Sequence, residues 1–333
     1  MAPGIRVRPA VPADLEACAD VWRAGLDGYG ARVGRPPLMT APGPLVALLG
    51  HLQATDPELF LVAVRGAVDA GSPADAGRPG GEAGDTGAER VVALVSALRR
   101  AHVWFLAMLF VHPDEQARGL GRRLLDAVLP SRDEATTLAT CTDAAQPVSN
   151  ALYARRGIVP RLPVLELVGR PEPDRLPALP EGVRAVPFEL LAGGPADAPA
   201  RRHLAEAIAT LDGGLLGYAH PEDHAFLAAN GRLGYLYQAG DGRVLGYGYT
   251  SAAGRVGPVA VREEALFPGV LRHLLGAVAP AGAFSTWVPG AAGVAMTSLL
   301  EAGLRLEDFP ALLCWDRPFA DFSRYLPITL AVL

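Results

Sequence analysis

Lysine is absent from this 333-residue sequence: all 30 basic side chains are arginine, set against 35 Asp and Glu, for a formal charge of −5. With no basic excess to hold a polyanion, a nucleic-acid partner is not expected. Cysteine is scarce as well. Cys18, Cys141 and Cys314 stand far apart with no CxxC pair, which argues against a disulfide framework or a cysteine-built zinc site and fits a reducing, cytoplasmic setting. Long apolar runs are missing too. The longest, Val103 to Val111, falls far short of the roughly 20 residues that a membrane span requires. The opening MAPGIRVRPAVPADLEA has no apolar stretch behind its arginines and does not read as a secretory signal.

What is present is ordinary globular composition, 50% apolar, in a chain long enough for two cores. Ile5 to Pro9 alternates as a strand, and Pro12-Ala-Asp14 opens a helix with Leu15, Cys18, Val21 and Trp22 at helical spacing. Gly and Pro from Gly25 to Pro44 predict a loop over 27–43, followed by a helix from Leu45 to Leu52. Phe60 to Val64 and Val91 to Leu98 read as strands. Gly66 to Glu89 between them is too poor in apolar side chains to offset its chain entropy, which predicts a mobile hairpin insertion. Val103 to Val111 lacks alternation, as a strand buried on both faces does. A helix from Leu120 to about Leu129, a strand over Thr137 to Thr142 and a helix near Pro147 to Arg156 follow. The proline-rich Arg170 to Pro180 marks a linker, giving domains 1–168 and 182–333 around residues 169–181. Beyond it, strands at Gly234 to Gln238, Val244 to Ser251, Gly257 to Val261, Phe284 to Val288 and Ala311 to Trp315, with helices at Leu266 to Ala279 and Ala291 to Ala302, repeat the order of the first half. A diverged internal duplication is the reading.

Chemistry concentrates in Leu109-Phe-Val-His-Pro-Asp-Glu-Gln-Ala-Arg-Gly-Leu-Gly-Arg-Arg-Leu-Leu125. A strand runs into a glycine-containing turn and a helix starts at once, so unpaired backbone N–H groups and the positive end of the helix dipole fall at one point. A diphosphate suits such a point, and Arg118, Arg122 and Arg123 add charge. The alternative is a tight turn that binds nothing.

The spacing Val111-x-Pro113, Gln116-x-x-Gly119-x-Gly121, Leu124-Leu125 resembles the acyl-CoA signature of the GNAT N-acetyltransferases, and Asn150-Ala-Leu-Tyr153-Ala-Arg-Arg-Gly157 resembles that family's second cofactor motif. The resemblance implies an α/β chain of two tandem GNAT-like folds, each a mixed central sheet flanked by helices, with acetyl-CoA as cosubstrate. It implies that Gln116, Ala117, Arg118, Gly119, Leu120, Gly121 and Arg122 hold the diphosphate and that Leu109, Phe110 and Val111 pair with the pantetheine arm. It places Asn150 at the cofactor and Tyr153 near the thioester sulfur as the acid that protonates the leaving thiolate. On the residues alone, the alternative for Tyr153 is a half-buried aromatic of an amphipathic helix, and for Asn150 a side chain that faces water.

The family often carries a glutamate on the fourth strand, but Val103 to Val111 has no acidic residue, which leaves the general base unassigned among His102, His112, Asp27, His51 and Asp143. Cys141 has no visible activating partner for a covalent route. Asp27, Tyr29, Arg32 and Arg35 are candidates for selecting the acceptor, expected to be a small-molecule amine. The second half has Pro268 where the turn should lie and Met296 with Leu299-Leu300 in place of Tyr153, so a degenerate domain is expected there. The tandem layout is similar to that of mycothiol synthase, but the motif here lies in the first half. His220 and His224 stand four residues apart without a third ligand in view, so a loop or helix start, and no metal, is expected. The expected activity is acetyl transfer to a primary amine by direct attack in a ternary complex. The alternative is a non-catalytic acyl-CoA-binding module. A homodimer is left open.

Overall fold

The computed structural model describes residues 4–37, 42–66, 89–131, 136–192, 199–307 and 309–333. The chain divides into two compact units, Met1–Leu98 with Leu106–Arg132, and Arg99–Phe105 with Asp133–Leu333. The expected hairpin insertion lies outside the described residues from 67 to 88, as do 38–41 of the expected loop.

The first unit contains β1 (Ile5–Pro9), α1 (Leu15–Arg32), α2 (Pro42–Thr55), β2 (Phe60–Arg65), most of β3 (Arg90–Arg100), most of β4 (Val103–Val111) and α3 (Leu120–Val128). The strands follow the order β1-β2-β3-β4. β1 and β2 are antiparallel, with Ile5 opposite Arg65 and Pro9 opposite Leu61. β3 is buried from Val91 through Leu98, an apolar run interrupted only by the buried Ser96. In β4 only Val103–Leu106 and Met108 are buried, whereas Leu109, Phe110 and Val111 are half-exposed. The expectation of a strand covered throughout is therefore corrected at its C-terminal end.

The expected loop over 27–43 is also corrected, because α1 continues to Arg32. Each helical glycine costs about 1 kcal/mol relative to alanine, which is why Gly25, Gly28 and Gly30 read as loop. Their missing side chains have a packing reason. A Cβ at Gly25 would lie 3.3 Å from Phe110 Cδ1, and one at Gly28 would lie 3.1 Å from Pro113 Cγ. The glycines let α1 lie against the end of β4 and the turn after it.

The second unit contains β5 (Thr137–Asp143), α4 (Pro147–Ala154), β6 (Val159–Gly169), β7 (Arg184–Pro187), α5 (Phe188–Ala192), α6 (Pro199–Leu215), α7 (Pro221–Ala229), β8 (Leu233–Gln238), β9 (Val244–Thr250) and β10 (Val256–Val261). It continues with α8 (Phe267–Gly276), β11 (Phe284–Pro289), α9 (Gly293–Glu301), β12 (Arg305–Leu306), β13 (Ala311–Trp315) and β14 (Tyr325–Leu326). One sheet runs β5-β13-β6-β11, with β12 also on β6, and the other runs β14-β10-β9-β8-β7.

From β1 to β6 the chain reads strand, two helices, three strands, helix, strand, helix, strand. With the short α5 and β12 set aside, β7 to β13 reads the same. The repeat is not laid out as two separate sheets. β13, from the second repeat, lies antiparallel between β5 and β6 of the first, with Leu313 opposite both Cys141 and Leu162. The core of this unit forms where α8 turns Phe267, Val270, Leu271, Leu274 and Leu275, one helical stripe, onto Val256, Val259 and Val261. Leu176 of the proline-rich segment joins the same cluster. Among the described residues no helix is long and apolar enough to cross a membrane.

Candidate functional site

The turn between β4 and α3 is built in three short steps. The His112 amide donates to Val92 O (2.9 Å), closing the end of β4 against β3. Pro113–Glu115 then makes one tight turn, with the Gln116 amide donating to Pro113 O. The Gln116 side-chain Nε2 reaches back to Val111 O at 3.0 Å. Ala117 (φ 61°) and Gly119 (φ 77°) follow in the left-handed region, and Gly119 is the N-cap of α3. For Ala117 that conformation costs roughly 1–2 kcal/mol, while at Gly119 the absence of a Cβ removes the penalty.

The Arg123 amide donates to Gly119 O, so the helix is fully wound from its first turn. The N–H groups of that first turn have no acceptor inside the helix and point out of its positive end. Gly121 sits among them. A Cβ there would meet Val111 Cγ2 at an ordinary 3.6 Å, so packing does not demand glycine.

The turn is held from below by Glu115. Its carboxylate, with only 4% of the side chain exposed, accepts two hydrogen bonds from Arg65 Nη2 (2.6 and 2.7 Å) and one from Arg118 Nη1 (2.7 Å). Burial pushes this carboxyl up, but the bonds from Arg65 and the charges of Arg65 and Arg118 outweigh it and hold it below the ordinary value. Glu115 was not singled out in the sequence, where a glutamate inside HPDEQ reads as a solvated turn residue. Arg118, Gly119, Leu120, Arg122 and Arg123 line a cavity of about 540 Å³ together with Ile5, Glu115 and Asp126.

Thus Leu109, Phe110, Val111, Gln116, Ala117, Arg118, Gly119, Leu120, Gly121 and Arg122 form one continuous feature: a half-exposed strand end, an arginine-flanked turn and a helix start. Asp27 and Tyr29 are half-buried on the part of α1 that lies against Phe110 and Pro113, Arg32 is exposed at its last residue, and Arg35 follows with its amide on Gly30 O. His112 Nδ1 accepts from the Asp114 amide at the start of the tight turn, and His51 lies half-buried on α2.

The remaining candidates belong to the second unit. Asn150 and Tyr153 lie one turn apart on α4. Asn150 Nδ2 donates to Asp143 O (3.0 Å) and Gln146 O (2.8 Å), while its buried Oδ1 has no hydrogen-bond partner among the described residues. Tyr153 is 5% exposed. Burial raises its phenol well above the ordinary value, only partly offset by a hydrogen bond with Ser149. Burial likewise raises the Cys141 thiol, next to the Cys314 thiol, which removes the thiolate that a covalent route would need. Asp143 accepts from the Ala145 amide, and His102 packs on Gly217. His220 and His224 do begin a helix, α7, but α6 brings Asp212 to them as a third polar partner. Its separation of eight residues from His220, across a helix end, hid it from a search for spaced ligands.

The sequence model of the acetyltransferase (GNAT) family matches residues 74–158, a span that includes β4, the turn, α3, β5 and α4. Residues 74–158 are thus similar in sequence to the GNAT acetyltransferase family. Solved structures match it over nearly its whole length. A proposed acetyltransferase from Pyrococcus horikoshii is 16% identical with a TM-score of 0.68, covering 100% of this chain and 97% of that one. A GCN5-related N-acetyltransferase from Sphaerobacter thermophilus is 18% identical with a TM-score of 0.57, covering 97% and 99%. A tandem GNAT protein from the clavulanic acid biosynthesis pathway is 18% identical with a TM-score of 0.53, covering 94% and 99%. At such identities the likeness speaks for the fold, which is the tandem GNAT fold. No curated protein matches the sequence.

Glu115 gives a pH-dependent test of the turn. A depressed carboxyl contributes stability that is present above its ordinary value of 4.5 and lost as the pH falls through its lower value in the folded chain. Glu115→Gln is expected to lower the unfolding free energy by about 1–3 kcal/mol near neutral pH. The difference from the parent should shrink as the pH falls below 4.5 in denaturant titrations.

Proposed function

We propose that this chain is an acetyl-CoA-dependent N-acyltransferase that acetylates a primary amine of a small molecule by direct attack in a ternary complex. The observation that carries the reading is the turn itself. Its N-cap glycine lies at φ 77°, Arg118 and Arg122 line its cavity, and the glycine at 121 is needed by neither backbone nor packing. Amides at a helix start, with one guanidinium held by Glu115 and that of Arg122 beside them, suit the diphosphate of coenzyme A. The half-exposed backbone of Leu109 to Val111 suits the amide groups of its pantetheine arm. In this reading residues 1–168 are catalytic, 169–181 a linker and 182–333 a degenerate domain, and Asp27, Tyr29, Arg32 and Arg35 select the acceptor.

The chemistry asked of the protein is modest. Binding amine and thioester together supplies proximity. The departing thiolate needs a proton, and Tyr153, to which the resemblance of the second motif gives this role, has a phenol that burial keeps protonated at neutral pH. A base for the amine is not assigned, since β4 carries no acidic side chain. That same absence favours the second reading, a module that binds acyl-CoA without transferring the acyl group.

Calorimetric titration with acetyl-CoA should give saturable binding by the parent that Gly119→Trp weakens at least about tenfold; a parent that takes up no acetyl-CoA overturns both readings. Tyr153→Phe should lower turnover, followed by thiol release with an amine panel, by roughly 100-fold at unchanged acetyl-CoA affinity. Equal turnover would remove Tyr153 from the mechanism, and binding without thiol release for any amine would favour the non-catalytic module.

A further inference from the structure

The second unit holds a polar cluster that acyl transfer does not use. Asp212 near the end of α6, His220 at the cap of α7 and His224 within its first turns meet in the interior, where Asp212 and His220 are 0% and His224 is 9% exposed. His224 Nε2 lies 2.9 Å from Asp212 Oδ2, and His220 Nε2 lies 3.5 Å from the same oxygen without forming a hydrogen bond. The two imidazole rings are 4.6 Å apart. A fully buried ring nitrogen left without a hydrogen bond is costly, and here it aims at a carboxylate oxygen already contacted by the other ring.

The outer contacts fix how each group presents itself. His220 Nδ1 is 3.2 Å from Asp223 Oδ2, and His224 Nδ1 is 2.8 Å from Tyr249 Oη. The Tyr247 hydroxyl donates to Asp212 Oδ1 at 2.6 Å, which leaves Oδ2 turned to the rings. Arg100 in turn braces the start of α7, with Nε 2.6 Å from Glu222 and Nη2 3.5 Å from Asp223. Both Nε2 atoms face Asp212 Oδ2, and a cation that displaces their protons, with a proton left on each Nδ1, would meet both Nε2 lone pairs and that oxygen. A histidine whose other nitrogen is held by a carboxylate or hydroxyl is the arrangement found around metal-binding imidazoles.

We propose that Asp212 Oδ2, His220 Nε2 and His224 Nε2 bind a divalent transition metal of the zinc class. Tetrahedral bonds of about 2.0–2.1 Å set donors roughly 3.3 Å apart, between the 2.9 and 3.5 Å found here, and each of the three residues offers a ligand atom within 4.8 Å of the others. Two imidazoles and one carboxylate suit zinc, cobalt or nickel, whereas magnesium and calcium take oxygen donors. Three protein ligands leave a fourth position for water. The ion ties the end of α6 to the start of α7, and through Tyr247 and Tyr249 to β9, so its role is to fix this part of the second unit.

The test uses the full, untagged chain. After chelator treatment and gel filtration it is titrated with Co²⁺ and, separately, with Zn²⁺. The expected result is one Co²⁺ per chain with visible d–d bands of four-coordinate cobalt, two strongly shifted imidazole N–H proton signals, and a rise of roughly 5–10 °C in the unfolding midpoint with excess Zn²⁺. Asp212→Asn and the double variant His220→Ala/His224→Ala should lose the cobalt bands. Because the two imidazole signals are read in the unaltered chain, misfolding of a variant does not blunt the test. A parent with no stoichiometric cobalt, no shifted imidazole signals, or bands that survive in well-folded variants would overturn the site and leave the cluster as a buried ion-pair network.

Discussion

The turn at the start of α3 depends on one buried carboxylate. Glu115 takes Arg65 from the end of β2 and Arg118 from the turn, and so fixes the segment in which Ala117 and Gly119 adopt left-handed backbone. A strained alanine persists only where its surroundings over-determine it, and the salt-bridged Glu115 two residues earlier is such a surrounding. The same contact aims a guanidinium at the cavity. Removing the carboxylate would free the turn and the charge together, which is why the proposed coenzyme site is better described as a clamp with a helix on top than as a glycine motif.

The two repeats have kept their element order and parted in chemistry. Where the first repeat runs from β4 into the glycine turn, the second runs from β10 into Glu263, Glu264 and Pro268, and α8 turns its apolar stripe into the core. The sheets also tie the repeats together, since β13 of the second lies between β5 and β6 of the first. A repeat whose strand is inserted between two strands of the other is held in place by that pairing whether or not it retains a site. What the second repeat holds is a buried cluster of aspartate, histidine and tyrosine with no counterpart among the described residues of the first.

Much of the first repeat was legible. The bounds of β4 and the start of α3 follow from VWFLAMLFV and GLGRRLL, because an unbroken apolar run and an amphipathic run separated by glycine leave little choice. The misread parts share a physical cause: local pattern does not report on contacts distant in sequence. α1 was cut short at Gly25 to Gly30 because their packing partners, Phe110 and Pro113, lie some eighty residues away. Glu115 looked solvated because Arg65 is fifty residues upstream. The insertion of β13 leaves no local trace at all, and Asp212 meets His220 and His224 only once α6 and α7 are formed.

The central claim is that the amides of this turn hold the diphosphate of coenzyme A. The most direct measurement is backbone amide NMR of the ¹⁵N-labelled chain titrated with coenzyme A. The account predicts that the N–H signals of residues 117 to 122 shift most and saturate together with those of the Arg118 and Arg122 side chains. Shifts that leave these residues unmoved while another surface responds would contradict it.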